Sequence, residues 1–133
     1  MKNHENKAKT YWDSQSYAFN GLKLIVRNER NFRLQMIFAA FVLIAGIVFD
    51  ISHSDWVAVG LLVAMVLITE AYNSVIEALC DTISKEYRVN IKYAKDVSAG
   101  CVLISAILSA TAGTIIFAPY VINWARDIIE KMV

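Results

Sequence analysis

A chain of 133 residues is one domain's worth of sequence. With 57% of its residues hydrophobic and 19% charged, and a mean hydropathy of +0.46, it carries more apolar surface than one soluble core of this size can hide. That composition excludes a disordered chain, and a net charge of +1 offers no footprint for nucleic acid.

The apolar excess is concentrated. Residues 34–49, 56–69 and 97–118 contain no Asp, Glu, Lys or Arg, and about 20 apolar helical residues cross a hydrocarbon layer roughly 30 Å thick. An all-α membrane protein follows, with three transmembrane helices and an amphipathic surface helix ahead of them. No internal repeat or linker divides the chain, so residues 1–133 form one integral-membrane domain.

In chain order, residues 14–31 read as a helix on the inner membrane surface. Ala18, Leu22 and Ile25 share one face. Lys23, Arg27 and Arg30 share another about 100° away, among anionic headgroups. Tyr11, Trp12 and Tyr17 add aromatic bodies suited to the interface. Glu29 lies eleven residues after Ala18, which puts its carboxylate on the apolar face and predicts that it points into the helix bundle. The first span is expected over 32–49, with an outer loop over 50–55. Trp56 marks the outer interface and opens a second span over 56–84.

The third span is expected over 93–118. Its Ser105, Ser109 and Gly113 recur every four positions, a small-residue stripe that lets helices approach closely in lipid. After Pro119, residues 119–133 read as an amphipathic tail on the outer surface, with Val121, Ala125, Ile128 and Met132 on one face. Cys80 and Cys101 read as buried small hydrophobes, without a redox or metal role.

Charge placement gives the orientation. Lys2, Lys7, Lys9, Lys23, Arg27, Arg30 and Arg33 precede the first apolar run. Only Asp50, His53 and Asp55 separate the first two runs, and Lys85, Arg88, Lys92 and Lys95 separate the last two. By the positive-inside rule the N-terminus and the loop over 82–96 are cytoplasmic and the C-terminus external. The first 30 residues are polar and basic, with no short apolar stretch before a cleavage pattern, so no signal peptide is expected.

The second span carries an anomaly. Counted from Trp56, Glu70 lies about 21 Å into the layer and Glu77 about 31 Å. Their spacing of seven brings them within about 20° on one face. Asn73 and Ser74 share that face, and Asp81 continues it. A carboxylate facing lipid costs on the order of 2.5–3.5 kcal/mol even on insertion scales. The carboxylates therefore either make buried interhelix hydrogen bonds, or pair with Lys95, or form a working site. With Glu29, Lys95 and Asp96 they are expected to converge at the inner interface. Carboxylate oxygens with an amide suit a hard cation such as Mg²⁺, and a carboxylate in apolar surroundings is suited to general base work. Zinc is disfavoured, because His4 and His53 fall on opposite sides of the membrane. No Walker loop or glycine-rich nucleotide fingerprint is present.

The run Glu70-Ala-Tyr-Asn73-Ser74-Val-Ile-Glu77-Ala-Leu-Cys-Asp81, followed by Glu86-Tyr87 and Ala94-Lys95-Asp96, resembles the signature of the small bacterial integral-membrane lipid kinases, the diacylglycerol kinase and undecaprenol kinase family. Phe19-Asn-Gly21-Leu22 and Asn28-Glu29-x-x-Phe32-Arg33 are similar to its surface helix. The resemblance covers about residues 15–115. It implies a homotrimer of three-span subunits in the bacterial cytoplasmic membrane, taking ATP, Mg²⁺ and a membrane lipid alcohol. It further implies that Glu70 is the base that activates the lipid hydroxyl, and that Glu29 and Glu77 hold Mg²⁺ on the ATP phosphates. Asn73, Glu77, Asp81, Glu86, Lys95 and Asp96 would contact nucleotide or phosphate. Where the family often has Gly or a small residue before Ala94, this chain has Ile91-Lys92-Tyr93.

Two rivals come from other classes. A proton- or ion-coupled transporter subunit would need a relay across the membrane, but residues 56–69 offer no ionisable group and the third span only Ser and Thr. A purely structural subunit would have no use for two helix-buried glutamates. Within the kinase reading, Ala94-Lys95-Asp96-Val97-Ser98-Ala99-Gly100 and Phe19 are more similar to the undecaprenol branch than to the diacylglycerol branch, where Trp is usual at the Phe19 position. Ser98, Ala99 and Gly100 would line a groove for the lipid chain.

A reporter fused at the N-terminus or within 85–92 should read cytoplasmic, and one after Val133 external. A cytoplasmic C-terminus would overturn the three-span topology and the depth assigned to Glu70.

Overall fold

A computed structural model describes residues 10–83, 86 and 88–132. Lys2, Lys7, Lys9, Lys85, Tyr87 and the ends of the expected second span and tail lie outside them. The described residues form four helices and no strand. Helix α1 covers Tyr11–Asn28, α2 Arg30–Val48, α3 His53–Ile83 and α4 Val89–Met132. Three of these, α2, α3 and α4, are long and apolar enough to cross a membrane.

Helix α1 starts ahead of the expected residue 14 because Thr10 caps it. The Thr10 hydroxyl accepts from the Asp13 amide at 3.3 Å, and the Asp13 carboxylate accepts from the Thr10 amide at 3.0 Å. This reciprocal box satisfies two otherwise orphaned donors. None of its residues is buried, consistent with a helix whose apolar face meets lipid rather than protein.

The sequence places the junction between surface helix and first span at 31/32; the backbone breaks at Glu29. That residue sits at φ −96°, ψ 112°, ending α1 and preceding α2. A break strands the last carbonyls of α1. The Glu29 amide donates to the Ile25 carbonyl at 2.9 Å. Nη1 of Arg33 donates to the carbonyls of Arg27 at 2.8 Å and Val26 at 3.2 Å, so the first turn of α2 caps α1.

Helix α2 ends in a Schellman turn. Asp50 takes the left-handed conformation at φ 48°, with Asp50 N–H to the Ile47 carbonyl and Ile51 N–H to the Gly46 carbonyl. Ile51 is buried. Ser52 then starts α3: its hydroxyl accepts from the Asp55 amide at 3.2 Å and donates to the Asp55 carboxylate at 2.8 Å.

Helix α4 packs chiefly on α3, and α2 packs on α3 less extensively. The small-residue stripe makes the α3–α4 contact. Thr69 and Ser105 share a 2.8 Å hydrogen bond, and Ser109 donates to the Leu62 carbonyl at 3.3 Å. Polar side chains take buried places beside apolar ones, while many large apolar side chains face outward. Glu70, Asn73, Ser74, Ser98 and Ser105 are buried, while Phe38, Leu61, Ile107 and Ile115 are exposed. That distribution suits a lipid solvent.

Pro119 does not end α4. The helix runs through it to Met132, about 66 Å at 1.5 Å per residue, so the segment expected as a tail continues the helix of the third span without a break. Aromatic and polar contacts hold it upright. Phe49 packs edge-on against both Phe117 and Trp124. The Tyr120 hydroxyl donates to the Asp55 carboxylate at 2.5 Å and accepts from the Ser52 amide at 3.0 Å. Proline removes one helical hydrogen bond, and these contacts keep the following segment in line.

Two glycines should respond to alanine with opposite signs. A Cβ on Gly46 would stand 2.8 Å from Trp56 Cη2 and 3.2 Å from Ile51 Cδ1, so Gly46→Ala should cost about 1–3 kcal/mol by overpacking, read as a lower denaturation midpoint in detergent. Gly21 meets nothing within 4 Å, so Gly21→Ala should stabilise by up to about 1 kcal/mol through helix propensity.

Candidate active site

The polar residues of α3 recur three and four apart and so share one face. Glu70 is only 4% exposed, and Asn73 and Ser74 are buried beside it. The Ser74 hydroxyl donates to the Glu70 backbone carbonyl at 3.1 Å, which keeps it within its own helix. Asn73 is the junction. Its Oδ1 accepts from the Ser98 hydroxyl of α4 at 2.7 Å, and its Nδ2 donates to Glu77 Oε1 at 3.2 Å. A chain of hydrogen bonds thus crosses from α4 to α3 and ends on a carboxylate.

The break at Glu29 delivers a third acid to this place. Glu29 and Glu77 lie close enough to Glu70 for their charges to act on it. Three carboxylates, one from the elbow and two from α3, therefore lie at the same end of the bundle, with the other two charges within electrostatic range of Glu70. Such a gathering is costly in apolar surroundings and marks functional sites.

Lys95 and Asp96 divide. The Lys95 ammonium bridges to Asp81 Oδ1 at 2.5 Å, joining α4 to α3 at the rim of the cluster. Asp96 pairs with Lys92 along α4 and its side chain is 62% exposed. Adjacent helical residues point about 100° apart, and here Lys95 turns to α3 while Asp96 pairs along its own helix. Glu86 is exposed between α3 and α4. Ser98, one turn after Lys95, is buried against α3 with its hydroxyl on Asn73.

Two residues outside the motif complete the frame. Phe32, a turn after Glu29, is buried, and Arg33 ties the elbow through the α1 carbonyls. Their sequence signal is their spacing from Glu29. Among the described residues, no three His, Cys, Asp or Glu side chains form a ready metal cage.

An apolar groove of about 700 Å³ opens between α2, α3 and α4. Gln35, Val42, Val59, Leu67, Gly113 and Phe117 are among its lining. It begins at Leu67, one turn from Glu70, and runs toward the α2–α3 turn.

Residues 16–117 match the prokaryotic diacylglycerol kinase family. The chain is 33% identical over 118 residues to the undecaprenol kinase of Bacillus subtilis, covering 89% of this chain and 96% of that one. It is 31% identical to the diacylglycerol kinase of Synechocystis, over 77% of this chain and 59% of the relative. The diacylglycerol kinase of Escherichia coli K12 is also 31% identical, over 70% and 76% of the two chains. A match over residues 16–117, with a relative 33% identical across 89% of the chain, on a frame of three membrane-length helices, makes this chain a lipid kinase belonging to the prokaryotic diacylglycerol kinase family.

Proposed function

We propose that the protein transfers the γ-phosphoryl group of ATP to the hydroxyl of a membrane lipid alcohol, with undecaprenol preferred over diacylglycerol. The observation that carries this reading is Glu70: a carboxylate held nearly out of solvent, flanked by two further acids, one turn from the end of an apolar groove. A lipid chain in that groove would bring its hydroxyl to the carboxylate, which takes the proton as the oxygen attacks phosphorus. Phosphoryl transfer demands positioning and charge neutralisation more than covalent help.

Glu29 and Glu77 would hold Mg²⁺, and the hard oxygen donors fit that ion. Two carboxylates suffice, because Mg²⁺ keeps several waters and completes its shell with phosphate oxygens. When bound, the ion neutralises charge developing on the phosphates. Asn73 orients Glu77, and Lys95, steadied by Asp81, lies within reach of phosphate oxygens at the rim. Asp81 and Glu86 would serve the nucleotide's outer portion, and Asp96 would reach it only by leaving Lys92. The family resemblance further supports a homotrimer in the bacterial cytoplasmic membrane, N-terminus inside and C-terminus outside.

Undecaprenol is favoured by the Bacillus relative, whose match runs nearly end to end in both chains, and by the Ala94–Gly100 run. Both alcohols present one hydroxyl on apolar chains, so Glu70 alone cannot separate them; the groove must.

Glu70→Gln should reduce turnover by about 10²–10⁴-fold while nucleotide binding persists, since only proton abstraction is lost. Retention of more than about a tenth of the rate would remove Glu70 from the base role. Glu77→Gln should weaken Mg·ATP binding as well. In mixed micelles at equal mole fraction, kcat/KM should favour undecaprenol. A preference for diacylglycerol above about tenfold, or about 1.4 kcal/mol, reverses the substrate and leaves the kinase in place.

A further inference from the structure

We infer that Ser98 is a positioning residue for the nucleotide side of the site: its hydroxyl fixes the Asn73 amide, and through it the carboxylate of Glu77. This rests on the proposed role of Glu77 in holding Mg·ATP. It departs from the sequence expectation that Ser98 lines the lipid groove. Ser98 and Asn73 are both buried, and Ser98 is not among the residues lining the groove.

The chemistry of the amide makes the arrangement directional. Asn73 lies between Ser98 at 2.7 Å and Glu77 at 3.2 Å. An ionised carboxylate only accepts hydrogen bonds. Flipping the amide would bring two acceptor oxygens together at Glu77, so Nδ2 must face the carboxylate and Oδ1 must face α4. Oδ1 then needs a donor in a buried place, and the Ser98 hydroxyl supplies it. That hydroxyl also lies 2.9 Å from the Lys95 backbone carbonyl, so its single proton is shared between that carbonyl and Asn73 Oδ1. The effect is to hold Glu77 in one orientation before nucleotide arrives.

Nothing else in the described residues donates to Asn73 Oδ1 among the bonds found. Ala at position 98 would leave that oxygen without this donor and let the amide swing. Ala in place of Ser98 removes one heavy atom and adds none, so the substitution is sterically compatible with the helix pairing.

The test compares Ser98→Ala and Ser98→Thr with wild type in detergent micelles, measuring KM for Mg·ATP, KM for the lipid alcohol, kcat and thermal stability. Ser98→Ala should raise KM for Mg·ATP by about three- to tenfold with kcat within about twofold, and Ser98→Thr should restore it. Binding of Mg·ATP to Asn73→Ala, with and without Ser98→Ala, completes a double-mutant cycle. If Ser98 acts through Asn73, its loss has no further effect once the amide is gone. An unchanged nucleotide KM in Ser98→Ala, a change confined to the lipid KM, or full additivity in the cycle would each overturn the proposal. If Glu77→Gln and Asn73→Ala leave Mg·ATP binding intact, the underlying role of Glu77 fails instead, whatever Ser98 does.

Discussion

The close pairing of α3 with α4 is the constraint on which the rest depends. In lipid there is no hydrophobic gain from pressing two apolar helices together, so contact must come from tight packing and interhelix hydrogen bonds. This protein uses small hydroxyl side chains for both. Thr69 with Ser105, Ser109 with the Leu62 carbonyl, and Ser98 with Asn73 hold α4 against the face of α3 that carries Glu70. Without that wall Glu70 and Asn73 would meet lipid. The same contacts that make the helix pair thus make the acidic cluster tolerable.

The second requirement is an acid from elsewhere in the chain. A continuous helix from Tyr11 to Val48 would carry Glu29 past the cluster along a straight axis. One residue of extended backbone at Glu29 turns α1 away from α2 and leaves its own side chain at the corner, near Glu70. The cost of such a break is a set of exposed carbonyls, and Arg33 meets it from the next turn. The elbow is consequently a bonded joint, and the surface helix and the site share it.

The opposite end of the bundle is built separately. The Schellman turn at Asp50, Trp56 against Gly46, and the Tyr120–Asp55–Ser52 contacts fasten the α2–α3 turn to α4. These groups are far along α3 from Glu70, and fix the tilt of α4 relative to its partners. The extension after Pro119 falls beyond residues 16–117 matched to the family, and its Trp124 packs edge-on against Phe49 at the end of α2.

Three spans and the anomalous acids of α3 were legible in the residues, because hydropathy and helical periodicity are local properties. Glu70, Asn73 and Glu77 fall on one face by spacing alone, whereas Glu29 owes its place to a backbone break that helical periodicity over 14–31 did not register. Periodicity does not say which of two adjacent residues faces a neighbour. That is why Lys95 and Asp96, equal in the sequence, separate in the structure, one to Asp81 and the other to Lys92. Proline carried a misleading local signal as well: Pro119 reads as a stop, but Tyr120 and Trp124 have partners on another element that keep the helix going. The assignment of the Ser98 hydroxyl to Asn73 needed the helix pairing itself, since residues 25 apart in sequence meet only when α3 and α4 are set side by side. Sequence determined which side chains had to avoid lipid; tertiary packing decided which of them touch, because contact depends on the rotation of one helix against another, and no local pattern fixes that angle.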